Sequence, residues 1–252
     1  MKKSSINRKE ALQKIATSTA LLTTAAFDLK AFHSPTANDS RGNPTGAHME
    51  WKKSALIIVD MQNDFVRAGA PLEVPDAINT VAAQKSLIAN FRKHKLPIIF
   101  TKFISHPHYY LLWEWSPQCK PPTKCCWKDH QRHYKDIAAT RECTEIIDEL
   151  SPTSNDIIIE KFGYGAFHET TLHKTLQQLG VTSLVITGTV TQICVEETAR
   201  EAFHYGYRTT IAEDGVSSFA SDLHASTLKN FAMKFGWVAK SDGIMDMVNG
   251  SK

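Results

Sequence analysis

Asp60 closes the apolar run "ALIIVD", Lys161 closes "DIIIEK", and Cys194 follows "VITGTV" by about one turn of chain. A carboxylate or an ammonium at the end of a buried strand is costly unless something pairs with it. The thiol can serve as nucleophile, the carboxylate as base, and the lysine as a cation that lowers the pKa of both. Cys194 stands where the chain turns from strand to helix, so the free N–H groups and dipole of a helix start favour its thiolate. Singly, each residue also has a plain reading: an inert core cysteine, an aspartate capping a loop, a lysine reaching off a strand end. Gathered on one rim, they specify nucleophilic chemistry.

The elements that must position them alternate. Short continuous apolar runs, the mark of strands covered on both faces, occur at "ALIIVD", "LPIIFTKF", "DIIIEK", "SLVITG" and "RTTIAED", with "GWVAKS" as a sixth, edge strand. Between them fall helical stretches: Asp76 to Lys95, "TEIIDEL", "HETTLHKTLQQLG" stopped by Gly180, "CVEETAREAFHYG" and "DLHASTLKNFAMKFG". The alternation predicts an α/β fold, a Rossmann-like three-layer sandwich with helices on both faces of the sheet. Right-handed crossovers place the strand C-termini on one rim, where Asp60, Lys161 and Cys194 fall. The stretch from Phe103 to Arg141 breaks the rhythm and is rich in aromatics, as a lid or binding element would be.

The blocks "ALIIVDMQNDF", "IIIEKFGYGAF" and "GTVTQICVEETAREAFHYGY" resemble the three signature blocks of the isochorismatase-like cysteine hydrolases, in order and spacing. The resemblance runs from about Ser54 to Val238. It implies a six-stranded, mainly parallel sheet flanked by helices and a catalytic triad of Asp60, Lys161 and Cys194. It also implies a cis peptide at Thr189–Val190 and an oxyanion hole made by the N–H groups of Val190 and Cys194, with Gly188 giving the backbone freedom for the approach. The metal-binding Asp-x-His pair of the family's nicotinamidases would fall on Phe103 and Ser105, so no catalytic metal or other cofactor is expected. Isochorismatases proper cleave a vinyl ether without a cysteine nucleophile. Cys194 therefore favours hydrolysis of a C–N bond, through a thioester.

Within the amide-cleaving branches, "KFGWV" and "IIDELSP" are similar to ureidoacrylate amidohydrolases. Gly165 stands where many members carry a serine. The expected substrate pocket draws on Phe65, Tyr164, Phe167, Trp113 and Trp115, with Gln192 contacting substrate or bracing the turn beside the nucleophile; each aromatic could equally be core. The resemblance implies a homodimer or homotetramer. Two other readings stand beside the amidohydrolase: vinyl ether cleavage by Asp60 alone, and a catalytically silent small-molecule-binding protein on the same fold.

The whole chain sets outer limits. It has 252 residues, 42% hydrophobic and 22% charged, enough for one large domain with a substantial core. A formal net charge of +3 argues neither for nucleic acid nor for an acidic membrane surface, and no apolar run is long enough to span a membrane. Residues 1–35 have a basic start and then an Ala/Thr/Leu stretch, the layout of an export signal; Arg8-Lys9 with Ala11-Leu12 resembles a degenerate twin-arginine motif. The expectation is an exported or periplasmic protein, the alternative a cytoplasmic one with an amphipathic N-terminal helix. Residues 36–50 read as a linker and 51–252 as the hydrolase domain, with a lid at about 104–140. Of the cysteines, Cys119, Cys125, Cys126 and Cys143 lie in or beside the lid. They fit no regular disulfide framework, and Cys119, Cys125, His130 and His133 match no familiar zinc spacing.

Overall fold

The computed structural model describes residues 49–250; the expected export signal and most of the linker lie outside them. The first strand, β1 (Ser54–Val59), is buried along its whole length. Its side chains alternate between two cores. Leu56 and Ile58 join one cluster, and Ala55, Ile57 and Val59 join the other. A strand covered on both faces needs no polar alternation, which is why it reads as an unbroken apolar run.

The chain continues through α1 (Asn63–Val66), α2 (Val81–Lys93) and β2 (Ile98–Phe103), then α3 (Leu112–Trp115) and an antiparallel hairpin of β3 (Gln131–Tyr134) and β4 (Ala139–Glu142). After β5 (Ile157–Lys161) come α4 (Leu172–Gln178), β6 (Ser183–Thr189), α5 (Glu196–His204), β7 (Arg208–Ser217), α6 (Ser221–Lys234), β8 (Trp237–Ala239) and α7 (Ser241–Gly250). The main sheet has six strands in the order β5-β2-β1-β6-β7-β8. Every pairing in it is parallel, more uniform than the mainly parallel sheet expected. Leu87, Phe91 and Ile244 from α2 and α7 cover one face, and Leu176, Ala199 and Phe231 from α4, α5 and α6 cover the other. No helix among the described residues is long and apolar enough to cross a membrane.

Several expectations need correcting. "TEIIDEL" forms only a short 3-10 turn at Asp148–Leu150, because Ile147 lies buried in the core and its N–H is taken by Met61 O at 3.0 Å rather than by a helical partner. The expected helix from Asp76 shortens to α2 behind a 3-10 turn at Ile78–Thr80. The β3–β4 hairpin and α7 have no counterpart among the expected elements. The hairpin carries no strong alternation, since only Tyr134 of β3 is buried.

β1 and β6 run side by side in register, with Val59 opposite Gly188. Gly188 has φ +109°, and a Cβ there would stand 2.1 Å from Val59 O. The two strands that carry Asp60 and the Cys194 turn approach this closely only because residue 188 has no side chain. Gly188→Ala is expected to destabilise the fold by about 3 kcal/mol. Urea unfolding reads this directly, and a variant as stable as the parent would contradict the packing described.

Candidate active site

Asp60 leaves β1 with φ +50°, a left-handed turn that directs its carboxylate inward at the sheet rim. Thr101, on the neighbouring β2, fixes it twice. The Thr101 hydroxyl donates to Asp60 Oδ1 at 2.6 Å, and Asp60 N–H donates to Thr101 Oγ1 at 3.2 Å. Lys161, at the end of β5, reaches past β2 to place Nζ 2.8 Å from Asp60 Oδ2, with neither side chain exposed. Its ammonium also donates to Gly163 O at 3.0 Å and Tyr164 O at 2.9 Å, so the cation is held by two carbonyls as well as by the ion pair. Burial alone would pull the lysine pKa down; the Asp60 carboxylate and the Cys194 sulfur outweigh it and hold the value above normal.

Cys194 comes from the next strand over. After β6 the Thr189–Val190 peptide is cis, and residues Thr191–Val195 form a π-helical turn closed by Val195 N–H on Val190 O at 3.1 Å. Thr191 pins this turn to the end of β7, its hydroxyl donating to Ser217 O at 2.9 Å. The regular helix α5 begins only at Glu196. Cys194 therefore does not occupy the first turn of an α-helix, as the sequence led us to expect. Its thiol feels the charges of both Asp60 and Lys161. The expected lowering of its pKa is also corrected. Burial is the largest influence, and with the Asp60 charge it outweighs Lys161, pushing the thiol up to about 12. In the resting site the sulfur is protonated at neutral pH.

Cys194 and Val190 line a cavity of about 530 Å³ together with Phe65, Tyr164 and Trp115, a volume suited to a small molecule. Trp115, 81% exposed, stands at its mouth. Other expected pocket residues lie elsewhere. Trp113 stacks on Trp127 with ring centroids 5.9 Å apart and donates to Ser105 Oγ at 2.9 Å. Phe167 packs into the core behind the sheet, stacked on Tyr205 at 5.2 Å. Gln192 faces a neighbouring cleft with Glu196, Glu197 and Arg200, not the cavity that Cys194 lines. Sequence reasoning missed Leu72, Glu73, Ser116, Gln118 and Phe219, which do line it. Glu73 follows the Asp60 block in a turn-rich segment on the same rim, which is the one signal that could have found it.

Half of the lid is fastened down. Asp64, fully buried, accepts Arg132 Nε–H at 2.8 Å, the Tyr134 hydroxyl at 2.7 Å and Cys126 N–H at 2.9 Å. Cys119, Cys125, Cys126 and Cys143 are buried free thiols. Asp64, Cys125 and Cys126 bring ligand-type atoms within 4.8 Å of one another, without His130 or His133. Because Asp64 already holds those three donors, it is poorly placed to ligate a metal. At the positions of the nicotinamidase metal pair, the Phe103 ring lies 5.4 Å from Lys161 Nζ and Ser105 Oγ is occupied by Trp113. The residues present do not fit a catalytic metal there.

At Gly165, a Cβ would meet the Glu201 carboxylate at 2.2 Å. Glu201 uses that space to accept Phe167 N–H at 2.8 Å. The absent serine is thus matched by a carboxylate entering from α5.

A doubly covered parallel sheet that gathers a thiol, a carboxylate and a buried ammonium at one rim has the layout of an α/β enzyme site. The isochorismatase domain model matches residues 54–243, and the chain belongs to the isochorismatase family of hydrolases. It is 30% identical over 202 residues to nicotinamidase 3 of Arabidopsis thaliana, covering 79% of this chain and 91% of that protein. It is 28% identical over 225 residues to the ureidoacrylate amidohydrolase of Variovorax paradoxus, covering 82% and 85%. A cysteine hydrolase structure from Pseudomonas syringae pv. phaseolicola superposes with a TM-score of 0.71 at 22% identity, covering 81% of this chain and 96% of that one.

The raised thiol pKa has two consequences. A proton held more tightly in the folded than in the unfolded chain, where the value is near 9.0, stabilises the fold fully below that pH. That contribution is lost as pH rises through about 12. The rate of Cys194 alkylation by iodoacetamide should therefore rise about tenfold per pH unit from pH 7 to pH 10. Peptide mass spectrometry reads this, and a plateau below pH 8 would show a thiolate already formed.

Proposed function

We propose that the protein is a cysteine-dependent hydrolase that cleaves the C–N bond of a small amide or ureido compound through a thioester on Cys194. The observation that carries the reading is the meeting of the Cys194 thiol with the buried Asp60–Lys161 pair beside a cavity of small-molecule size. Both curated relatives named above are amide hydrolases by name, which supports the same bond type.

The substrate carbonyl lies over Sγ with its oxygen toward the N–H groups of Val190 and Cys194. Asp60 takes the thiol proton as sulfur attacks the carbonyl carbon, and the two N–H groups stabilise the tetrahedral oxyanion. Collapse breaks the C–N bond, and the departing nitrogen takes the proton back from Asp60. Asp60, again ionised, then removes a proton from water as its oxygen attacks the thioester. Sulfur leaves, recovers that proton, and the product acid departs. Lys161 holds Asp60 in place and keeps it ionised until each proton transfer.

Cys194→Ala should abolish ammonia release, with kcat/KM down by at least about 10⁴-fold, while the thermal melting curve stays cooperative. A panel of simple amides, biuret, nicotinamide and ureido acids supplies the substrates. Undiminished hydrolysis by the variant would sink the thioester mechanism. Pyruvate release from isochorismate by both proteins would favour the vinyl ether chemistry instead.

A further inference from the structure

The proposal above leaves open which end groups the substrate bears, and the charges around the cavity restrict them. Any substrate carboxylate would need a cation or a set of free N–H donors. Lys161 is the cation that acts on Cys194, yet it is wholly buried, ion-paired to Asp60 Oδ2 at 2.8 Å and donating to Gly163 O at 3.0 Å and Tyr164 O at 2.9 Å. Its charge is already matched by Asp60. Among the described residues that line the cavity there is no lysine and no arginine.

The one charged side chain in that lining is Glu73, beside the Cys194 thiol and the neutral polar groups of Trp115, Ser116, Gln118 and Tyr164. Glu73 contributes a carboxylate, of which Oε2 accepts Gly69 N–H at 2.7 Å. Its second oxygen has no partner among the described residues. Gln118 lines the same cavity, and its amide oxygen is buried without a partner. A buried carbonyl oxygen with nothing to accept from is matched by a donor arriving with a ligand. Phe65, Tyr164, Trp115 and Phe219 offer ring faces, which attract cations and repel anions.

Resting on the amide-hydrolase reading, we propose that the substrate carries no carboxylate and presents N–H donors or a cationic amine to the Glu73–Gln118 side of the cavity. The resting triad adds no net charge, because Asp60 and Lys161 cancel and the thiol is neutral. Glu73 therefore sets the sign of the field that an arriving molecule meets. An anionic end group is repelled by Glu73 and meets no cation in the lining, only neutral donors; an ammonium or a further amide finds acceptors and aromatic faces.

The field can be read without any hydrolysis. Methanethiosulfonate reagents bearing an ethylammonium or an ethylsulfonate group convert a thiolate to a mixed disulfide and release methanesulfinate. Their rates at Cys194, at pH 9 and normalised to a free small thiol, should favour the cation by about tenfold or more. Glu73→Gln should cut that ratio several-fold with an unchanged melting temperature. A ratio at or below one, a ratio unaffected by Glu73→Gln, or a Cys194 that neither reagent reaches would overturn the proposal. A matched substrate pair gives the second arm: 3-aminopropanamide should be deaminated with the higher kcat/KM, and faster turnover of succinamate would also overturn it. If no amide is turned over while the labelling preference holds, the hydrolase reading fails and the charge assignment stands.

Discussion

Asp60 and Lys161 sit 2.8 Å apart with no exposure on either side chain, and the arrangement of the rim follows from making that burial tolerable. Removing one partner of such a pair leaves a bare charge in the interior, at a cost of about 3–5 kcal/mol. The pair persists because its remaining hydrogen-bonding capacity is met locally. Thr101 on β2 serves one carboxylate oxygen, and the carbonyls of Gly163 and Tyr164 serve the ammonium. These groups come from the middle of the sheet, its neighbour and the loop after its edge strand. The order β5-β2-β1 is what brings them together, with Phe103 at the end of β2 lying beneath the lysine as it crosses.

Cys194 depends on the opposite flank of β1. Its turn starts where β6 presses against β1 at Gly188, and it is fastened beyond that to β7 through Thr191. Asp60 and Cys194 thus hang from adjacent strands whose separation is fixed by backbone contact. A second buried carboxylate, Asp64, does comparable work for the wall of the cavity. It ties the hairpin and the cysteine-rich loop to the helix that carries Phe65, so part of the wall belongs to the scaffold.

What the sequence revealed divides along the same lines. β1 and β6 were legible because burial on both faces erases polar alternation and leaves an apolar run. Asp60, Lys161 and Cys194 were legible because each is the wrong type of residue for such a place unless it has company. The cavity wall was not legible. Glu73 sits in irregular chain and Gln118 in a three-residue 3-10 turn, and the segment around Gln118 is held by side-chain hydrogen bonds at Asp64 and Trp127 that no periodicity records. Trp113 and Phe167 looked like pocket aromatics, but a ring that stacks on Trp127 or Tyr205 has the same signature in sequence as one that faces a ligand. The state of Cys194 was misread for a related reason. Proximity to a lysine and to a helix was visible, whereas burial of the sulfur arises only when the strands and the turn close around it.

That desolvation bears on how the thiol can act. An isolated thiolate in this interior would be costly, which is what its raised pKa expresses. In the proposed step, however, the proton that leaves sulfur goes to Asp60, and Lys161 lies within reach of both. Before transfer the lysine is paired with a carboxylate; after it, with a thiolate. Negative charge moves from one neighbour of the ammonium to another, and the net charge of the buried group stays at zero throughout. Such a transfer avoids the desolvation cost that opposes loss of the proton to bulk water, and the electrostatic attraction to Lys161 is kept at both ends. A thiol that holds its proton in the resting site can therefore still release it to the adjacent base when a carbonyl arrives.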